Sequence, residues 1–232
     1  MWLMKANETI DSFLNGKLQI IQSRQGYRFS VDALLLAEFV SVRSDDVVVD
    51  LGAGCGIISL FLAVKRKVGF IVGLELQEEL ASQAQRNIVL NTLEKKIVII
   101  RGDLRHLPMG PAFAHIVVCN PPYRRQKSGR INPDFSKAIA RHELSTKIDD
   151  ILFAGKALLK EGGRLALIYP ANRLAEIFTK MRIHDIEPKR LQIVFPNSYS
   201  HAKLAMIEGR LHGKSGLKIL PPLFGQGQFS VV

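Results

Sequence analysis

The chain has 232 residues, of which 47% are hydrophobic and 23% charged, and a net charge of +11; it is long enough for one domain with a sizeable core. No apolar run approaches the roughly 18–20 residues of a membrane span, and Met1–Glu8 lacks the basic segment and long apolar stretch of a secretory signal, so a cytoplasmic protein is expected. The two cysteines, Cys55 and Cys119, read as buried reduced thiols, the six histidines are scattered, and no metal-ligand spacing appears, so no metal is expected.

In chain order, the N-terminal segment reads as a short hairpin, Phe13-Leu14 against residues 17–22, turned at Asn15-Gly16. A helix over about 31–40 follows, with Ser30 as its N-cap and Asp32 in its first turn. From residue 46 strands and helices alternate, with strands at 46–51, 68–74, 96–101, 114–119 and 163–169. The intervening helices fall at 56–66, 77–91, 137–160 and 171–182. Strands 189–195 and 202–211, joined by the short loop 196–200, form a terminal hairpin in which one strand is antiparallel to the rest. Uninterrupted apolar runs such as Val47-Val48-Val49 and Ile97-Val98-Ile99-Ile100 call for a mostly parallel sheet with helices on both faces. The expected organisation is one α/β domain: an extension over 1–45, a core over 46–211 and an irregular tail over 212–232.

In an open parallel sheet, ligands bind beyond the carboxyl ends of the strands, and the chemically suggestive residues all fall there. The strand Val47–Asp50 runs into Gly52, Gly54 and Gly56, which let the backbone turn sharply and meet a ligand without a Cβ in the way. The spacing is Gly-x-Gly-x-Gly rather than the Gly-x-Gly-x-x-Gly of dinucleotide enzymes, so no pyrophosphate is implied. Glu75 ends the next strand, 25 residues after Asp50, where a carboxylate can accept both ribose hydroxyls of an adenosine ligand or simply start the helix at Gln77. Asp103 is placed to accept from an adenine amino group with Leu104 against the ring, or else to cap a short helix.

Asn120-Pro121-Pro122-Tyr123 follows the strand His115–Cys119. An exocyclic amine on an aromatic ring is a poor nucleophile, because its lone pair is delocalised. The Asn120 carboxamide oxygen and the Pro121 carbonyl can each accept one of its two N–H bonds, holding the nitrogen in line with a methyl donor and favouring the positive charge it acquires. The prolines fix φ and enforce an extended turn, and Tyr123 would stack on the substrate's flat face. Glycine turn and tetrapeptide, in this order and about 70 residues apart, form the pattern of an S-adenosylmethionine-dependent methyltransferase acting on a planar nitrogen. Asp50 would then face the donor's amino group or a bound water. A dehydrogenase would leave the tetrapeptide unexplained.

The charge is uneven. Residues 1–120 hold 13 Lys+Arg against 12 Asp+Glu, whereas residues 121–232 hold 19 against 9. Arg124, Arg125, Lys127 and Arg130 form an acid-free run directly after the tetrapeptide, a one-signed patch suited to a polyanionic substrate.

Gln25–Ala33, the glycine turn, the tetrapeptide, Ala140–Glu143, Leu159–Arg164, Glu187–Arg190 and Ile219–Leu223 together resemble the bacterial tRNA1(Val) adenine N6-methyltransferases over almost the whole chain. The resemblance implies the Rossmann-like, seven-stranded class I methyltransferase fold, S-adenosylmethionine as cofactor and tRNA as partner; the sequence leaves the oligomeric state open, with a monomer favoured. It places Gly52, Gly54, Glu75 and Asp103 on the cofactor and Asn120 to Tyr123 on the base. The segment Tyr27 to Asp32, including Ser30, would close over the cofactor's methyl end. Cys55 stands where relatives often carry a hydroxyl. The tetrapeptide is shared with DNA adenine methyltransferases, which add a target-recognition domain, and with release-factor glutamine methyltransferases, which carry a helical N-terminal domain. Only about 45 residues precede the sheet here. The alternatives are a protein-glutamine methyltransferase and a non-catalytic RNA-binding protein on the same fold.

Overall fold

Runs of β-branched residues separated by glycine turns build the centre of the molecule, seen in a computed structural model that describes residues 4–24, 28–121 and 147–225. A hairpin of β1 (Glu8–Phe13) and β2 (Leu18–Ser23) leads into α1 (Val31–Phe39). The alternating core comprises β3 (Val47–Leu51), α2 (Ile57–Lys65), β4 (Phe70–Glu75), α3 (Glu78–Leu90), β5 (Ile97–Arg101) and β6 (Ala114–Cys119). It continues through α4 (Ile148–Leu158), β7 (Leu159–Pro170), α5 (Leu174–Ile183), β8 (Ile186–Phe195) and β9 (Leu204–Leu211), and ends in β10 (Lys218–Ile219) and β11 (Leu223–Phe224).

Among the described residues the main sheet runs β10-β8-β9-β7-β6-β3-β4-β5, with β11 also on β8. β9 is the reversed strand, antiparallel to both β7 and β8. The seven expected strands are therefore present, and two short ones extend the edge. Successive residues of each central strand point to opposite faces. Val48, Ile116 and Val118 enter one apolar cluster with α1, α2 and part of α3. Val49, Leu51 and Val117 enter a second with α4 and α5. Both faces are thus buried, which is why these strands read as continuous apolar runs; each fully buried Val or Leu contributes about 1.5–3 kcal/mol.

Several expectations need correction. The first hairpin strand starts at Glu8, and its turn spans Leu14 to Lys17, closed by the Lys17 amide donating to the Leu14 carbonyl at 3.2 Å. Glu8 hid this strand, because a buried acid looks wrong in a strand until its partners are seen. It is 4% exposed and paired with Arg86 of α3 at 2.6 Å. Ser30 occupies the N-cap position of α1, but its side chain makes no cap hydrogen bond; its carbonyl accepts from the Ala33 amide at 3.1 Å. Leu159 and Lys160, expected to end a helix, already belong to β7, where Leu159 pairs with Ala114 ahead of a bulge; residues 137–146 of that helix lie outside the described ones. The tail is not wholly irregular: β10 and β11 pair in parallel with β8 and cover its edge.

The hairpin is docked by asparagines that imitate a strand. Asn87 accepts from the Ile21 amide at 2.6 Å and donates to the Ile21 carbonyl at 3.2 Å. One turn later, Asn91 accepts from the Gln19 amide at 2.9 Å and donates to the Gln19 carbonyl at 2.7 Å. Four residues of helix rise about 6 Å and two residues of strand about 6.7 Å, so an i, i+4 pair of carboxamides matches alternate peptide groups of β2. Asn87 also donates to the Cys55 carbonyl at 3.0 Å, tying hairpin, helix and glycine turn together.

Candidate active site

The chain steps outward from β3 to β4 to β5, then returns to β6 on the other side of β3. That reversal opens a crevice at the carboxyl ends of β3 and β6, the place where such sheets bind ligands. Leu51 pairs with Cys119 and with Leu74, so Gly52 and Asn120 leave neighbouring strands side by side. Asn120 is half-buried and Pro121 buried. Pro122, Tyr123, Arg124, Arg125, Lys127, Arg130 and Tyr27 lie outside the described residues, and Ser30 is exposed at the start of α1.

The three glycines of the turn have left-handed φ, +72° at Gly52, +58° at Gly54 and +86° at Gly56. Their roles differ. A Cβ on Gly56 would lie 3.3 Å from the Ala84 side chain, so this glycine also lets α2 approach α3, whereas a Cβ on Gly52 would meet nothing within 4 Å. The amides of Gly52 and Ala53 both donate to the Leu74 carbonyl, at 2.9 and 3.0 Å, and that of Gly56 to the Ala53 carbonyl at 2.9 Å. The Gly54 amide donates to Glu75 Oε2 at 2.8 Å. These N–H groups are consumed inside the protein, unlike those of a phosphate-cradling turn, which must point at the anion. The turn lies flush on β4, where a Cβ on Gly73 would come within 3.0 Å of Ala53 Cβ and 2.6 Å of Ile99 Cδ1.

Glu75 is 5% exposed at the end of β4. Its other oxygen accepts from the Gln77 amide at 2.8 Å, so this carboxylate starts α3 and braces the glycine turn at once. An ionised carboxylate has about four acceptor positions, and these two backbone amides occupy two of them. Asp103 follows β5 and grips Arg105, with the Arg105 Nε 3.0 Å from both carboxylate oxygens and its amide 2.9 Å from Oδ1. The expected alternative of a helix cap gives way to a tight turn, closed by the His106 amide donating to the Asp103 carbonyl at 2.9 Å. The Arg105 guanidinium holds the Asp103 carboxyl below the usual carboxylate range, so it remains an acceptor at neutral pH. Leu104 packs beside it at the edge of the second cluster.

Asp50 lies beneath the turn and is 1% exposed. Its Oδ2 accepts from the Ser59 hydroxyl at 2.7 Å, while its Oδ1 is buried with no hydrogen-bond partner among the described residues. Burial pushes its pKa up to about 6, with the Glu75 charge adding to the rise. An unpartnered buried carboxylate oxygen fits a ligand that brings an ammonium group or a bridging water. Ser59, which sequence reasoning missed, is the lone uncharged polar residue in the otherwise apolar α2, which ends at Lys65, and that was the available signal. Both cysteines are free and buried; burial pushes the Cys55 thiol up to about 12 and the Cys119 thiol up as well. Neither supplies a thiolate at neutral pH. Among the described residues no group of His, Cys, Asp and Glu is arranged to hold a metal ion, and no helix is long and apolar enough to cross a membrane.

The state of Asp50 has a measurable consequence. Its pKa is about 6 in the folded protein against an ordinary value of 3.8, so between these values the native state binds more protons than the unfolded state. Stability is therefore fully present below about pH 4 and declines as pH rises through about 6. Asp50→Asn removes that term. Its stability relative to wild type is expected to rise by on the order of 1–3 kcal/mol between pH 4.5 and 7.5, measured by urea denaturation of both proteins. A pH-independent difference would show that Asp50 is not titrating in this window.

The methyltransferase small domain family model matches residues 28–185 of the chain. The tRNA1(Val) (adenine(37)-N6)-methyltransferase of Aliivibrio salmonicida is 29% identical over 171 residues, covering 72% of this chain and 71% of that protein. The protein of the same name from Shewanella halifaxensis is 33% identical over 156 residues, covering 66% of this chain and 62% of its own length. Among solved structures, P. horikoshii TYW2 in complex with MeSAdo shares the fold with a TM-score of 0.64 at 17% identity, covering 90% of this chain and 73% of that one.

Proposed function

The chain belongs to the methyltransferase small domain family, and from that footing we propose that it methylates N6 of an adenine in tRNA by direct transfer. S-adenosylmethionine is the methyl donor, supplying an electrophilic methyl group on a sulfonium. Glu75 would hold its ribose, Asp103 and Leu104 its adenine, and the Asp50 oxygen left without a partner its amino-acid end. The observation that carries the proposal is the side-by-side exit of Gly52 and Asn120 from paired strands, which brings cofactor turn and amine acceptors to one crevice.

The Asn120 carboxamide and Pro121 carbonyl would accept the two N–H bonds of the target amine and orient its nitrogen. Their partial negative charges favour the charge that develops on nitrogen as it is alkylated. No strong base is needed, because the alkylated amine is acidic and can release its proton to water. The target base must be splayed from its loop to enter the crevice, with Tyr123 stacked on it. The tRNA substrate is supported by the names of the Aliivibrio and Shewanella relatives and by the basic bias after residue 120. Arg124, Arg125, Lys127 and Arg130 would meet phosphates. Of the basic residues nearer the C-terminus, Lys203 lies at the amino end of β9, on the crevice side of the sheet. Arg210 and Lys214 lie at or beyond its carboxyl end, on the opposite side.

The test is incubation with methyl-labelled S-adenosylmethionine and, separately, tRNA, DNA and a peptide-release factor. Label is expected in tRNA alone. Label in the release factor, with none in tRNA, would overturn the proposal in favour of glutamine methylation.

A further inference from the structure

The loop between β8 and β9, residues 196–203, leaves the sheet at the same end as Asn120, because β7 and β8 are both antiparallel to β9. Its base is stitched into the sheet. The Lys203 amide donates to the Val194 carbonyl at 2.9 Å, and the Ala171 amide, just past β7, donates to the Lys203 carbonyl at 3.1 Å. Its tip is held by Asn197, whose Oδ1 accepts from the Tyr199 amide at 3.0 Å and from the Ser200 hydroxyl at 2.8 Å. This is a side-chain-closed turn with little freedom. On it stands Tyr199, 98% exposed. The ring buries nothing and so contributes nothing to the fold, yet its backbone is fixed. No acid occurs between Phe195 and Ile207, and the exposed Lys203 lies four residues further along the same loop.

Three strand steps, β6 to β7 to β9 to β8, separate this loop from the strand that presents Asn120. At about 4.8 Å per step this is about 14 Å, the rise of roughly four stacked nucleotides at about 3.4 Å each. We propose that Tyr199 is a second base platform, stacking on an unpaired base of the substrate RNA a few nucleotides from the target adenine, with Lys203 near the adjoining phosphate. An exposed aromatic face on a loop that also carries a cation is the kind of device by which proteins hold single-stranded nucleic acid without reading its sequence. This proposal rests on the tRNA reading above.

The test compares wild type, Tyr199→Ala and Tyr199→Phe in steady-state methylation of tRNA, with cofactor affinity and thermal stability measured in parallel. Tyr199→Ala is expected to raise KM for tRNA roughly five- to a hundredfold, and Tyr199→Phe to stay within about twofold of wild type. Cofactor affinity, melting temperature and kcat should be unchanged in both. An unchanged KM in Tyr199→Ala overturns the platform, as does a Tyr199→Phe variant as impaired as the alanine one, which would assign the effect to the hydroxyl. A wild-type protein that methylates no tRNA would instead refute the substrate reading, and the platform with it, before any variant is compared.

Discussion

Asn120→Ala is expected to bind S-adenosylmethionine normally and to lose at least about a hundredfold in methyl transfer, the scale for removing one preorganised polar group that acts on developing charge. The residue follows Cys119, whose strand partner is Leu51, so it stands next to the glycine turn without belonging to it. In the described structure the turn is built from bonds to Leu74, Glu75 and Ala53, none of which involves the Asn120 side chain. Its removal should therefore spare the cofactor. Calorimetric titration with the cofactor and single-turnover transfer at saturating cofactor separate the two effects. Lost affinity with normal turnover would reject the assignment.

Glu75→Ala should show the opposite pattern, with an added cost in stability. The carboxylate accepts from the amides of Gly54 and Gln77, and it is buried. Truncation leaves two backbone donors without that partner, at about 1–3 kcal/mol each, and removes the proposed ribose acceptor. A fall in stability on the order of 2–6 kcal/mol is expected from the first effect, and a weakening of cofactor binding by about tenfold or more, equivalent to about 1.4 kcal/mol, from the second. Denaturant unfolding reads one and calorimetry the other. Unchanged cofactor affinity in a destabilised variant would leave Glu75 as a brace for the turn alone.

The parts of the site that could be read from sequence are those fixed by local backbone chemistry. Left-handed φ at Gly52, Gly54 and Gly56 favours glycine, and strands buried on both faces are mostly apolar, so β3 and β6, and with them the place of Asn120, stood out. What stayed hidden depends on partners distant in the chain. Glu8 is accommodated in a strand largely because Arg86, 78 residues away, meets it. Asp50 is held by Ser59 across the turn, and the hairpin docks through carboxamides of α3 as well as through its buried Leu18 and Ile20. The pairing of β10 and β11 depends on the free edge of β8, which a two-residue strand does not announce. Asp103 carried both readings in sequence; the helix-cap alternative gives way to a tight turn in which Arg105 clasps the acid.

The most direct test of the central claim is the identity of the methylated nucleoside. After in vitro reaction with S-adenosylmethionine, tRNA is digested and its nucleosides separated by mass spectrometry. An Asn120 and Pro121 pair that accepts both hydrogens of an exocyclic amine requires methylation on such an amine; with the adenine reading the expected product is N6-methyladenosine, and it should vanish with Asn120→Ala. Methylation at a ring nitrogen, on a nucleoside other than adenosine, or undiminished in Asn120→Ala would contradict it.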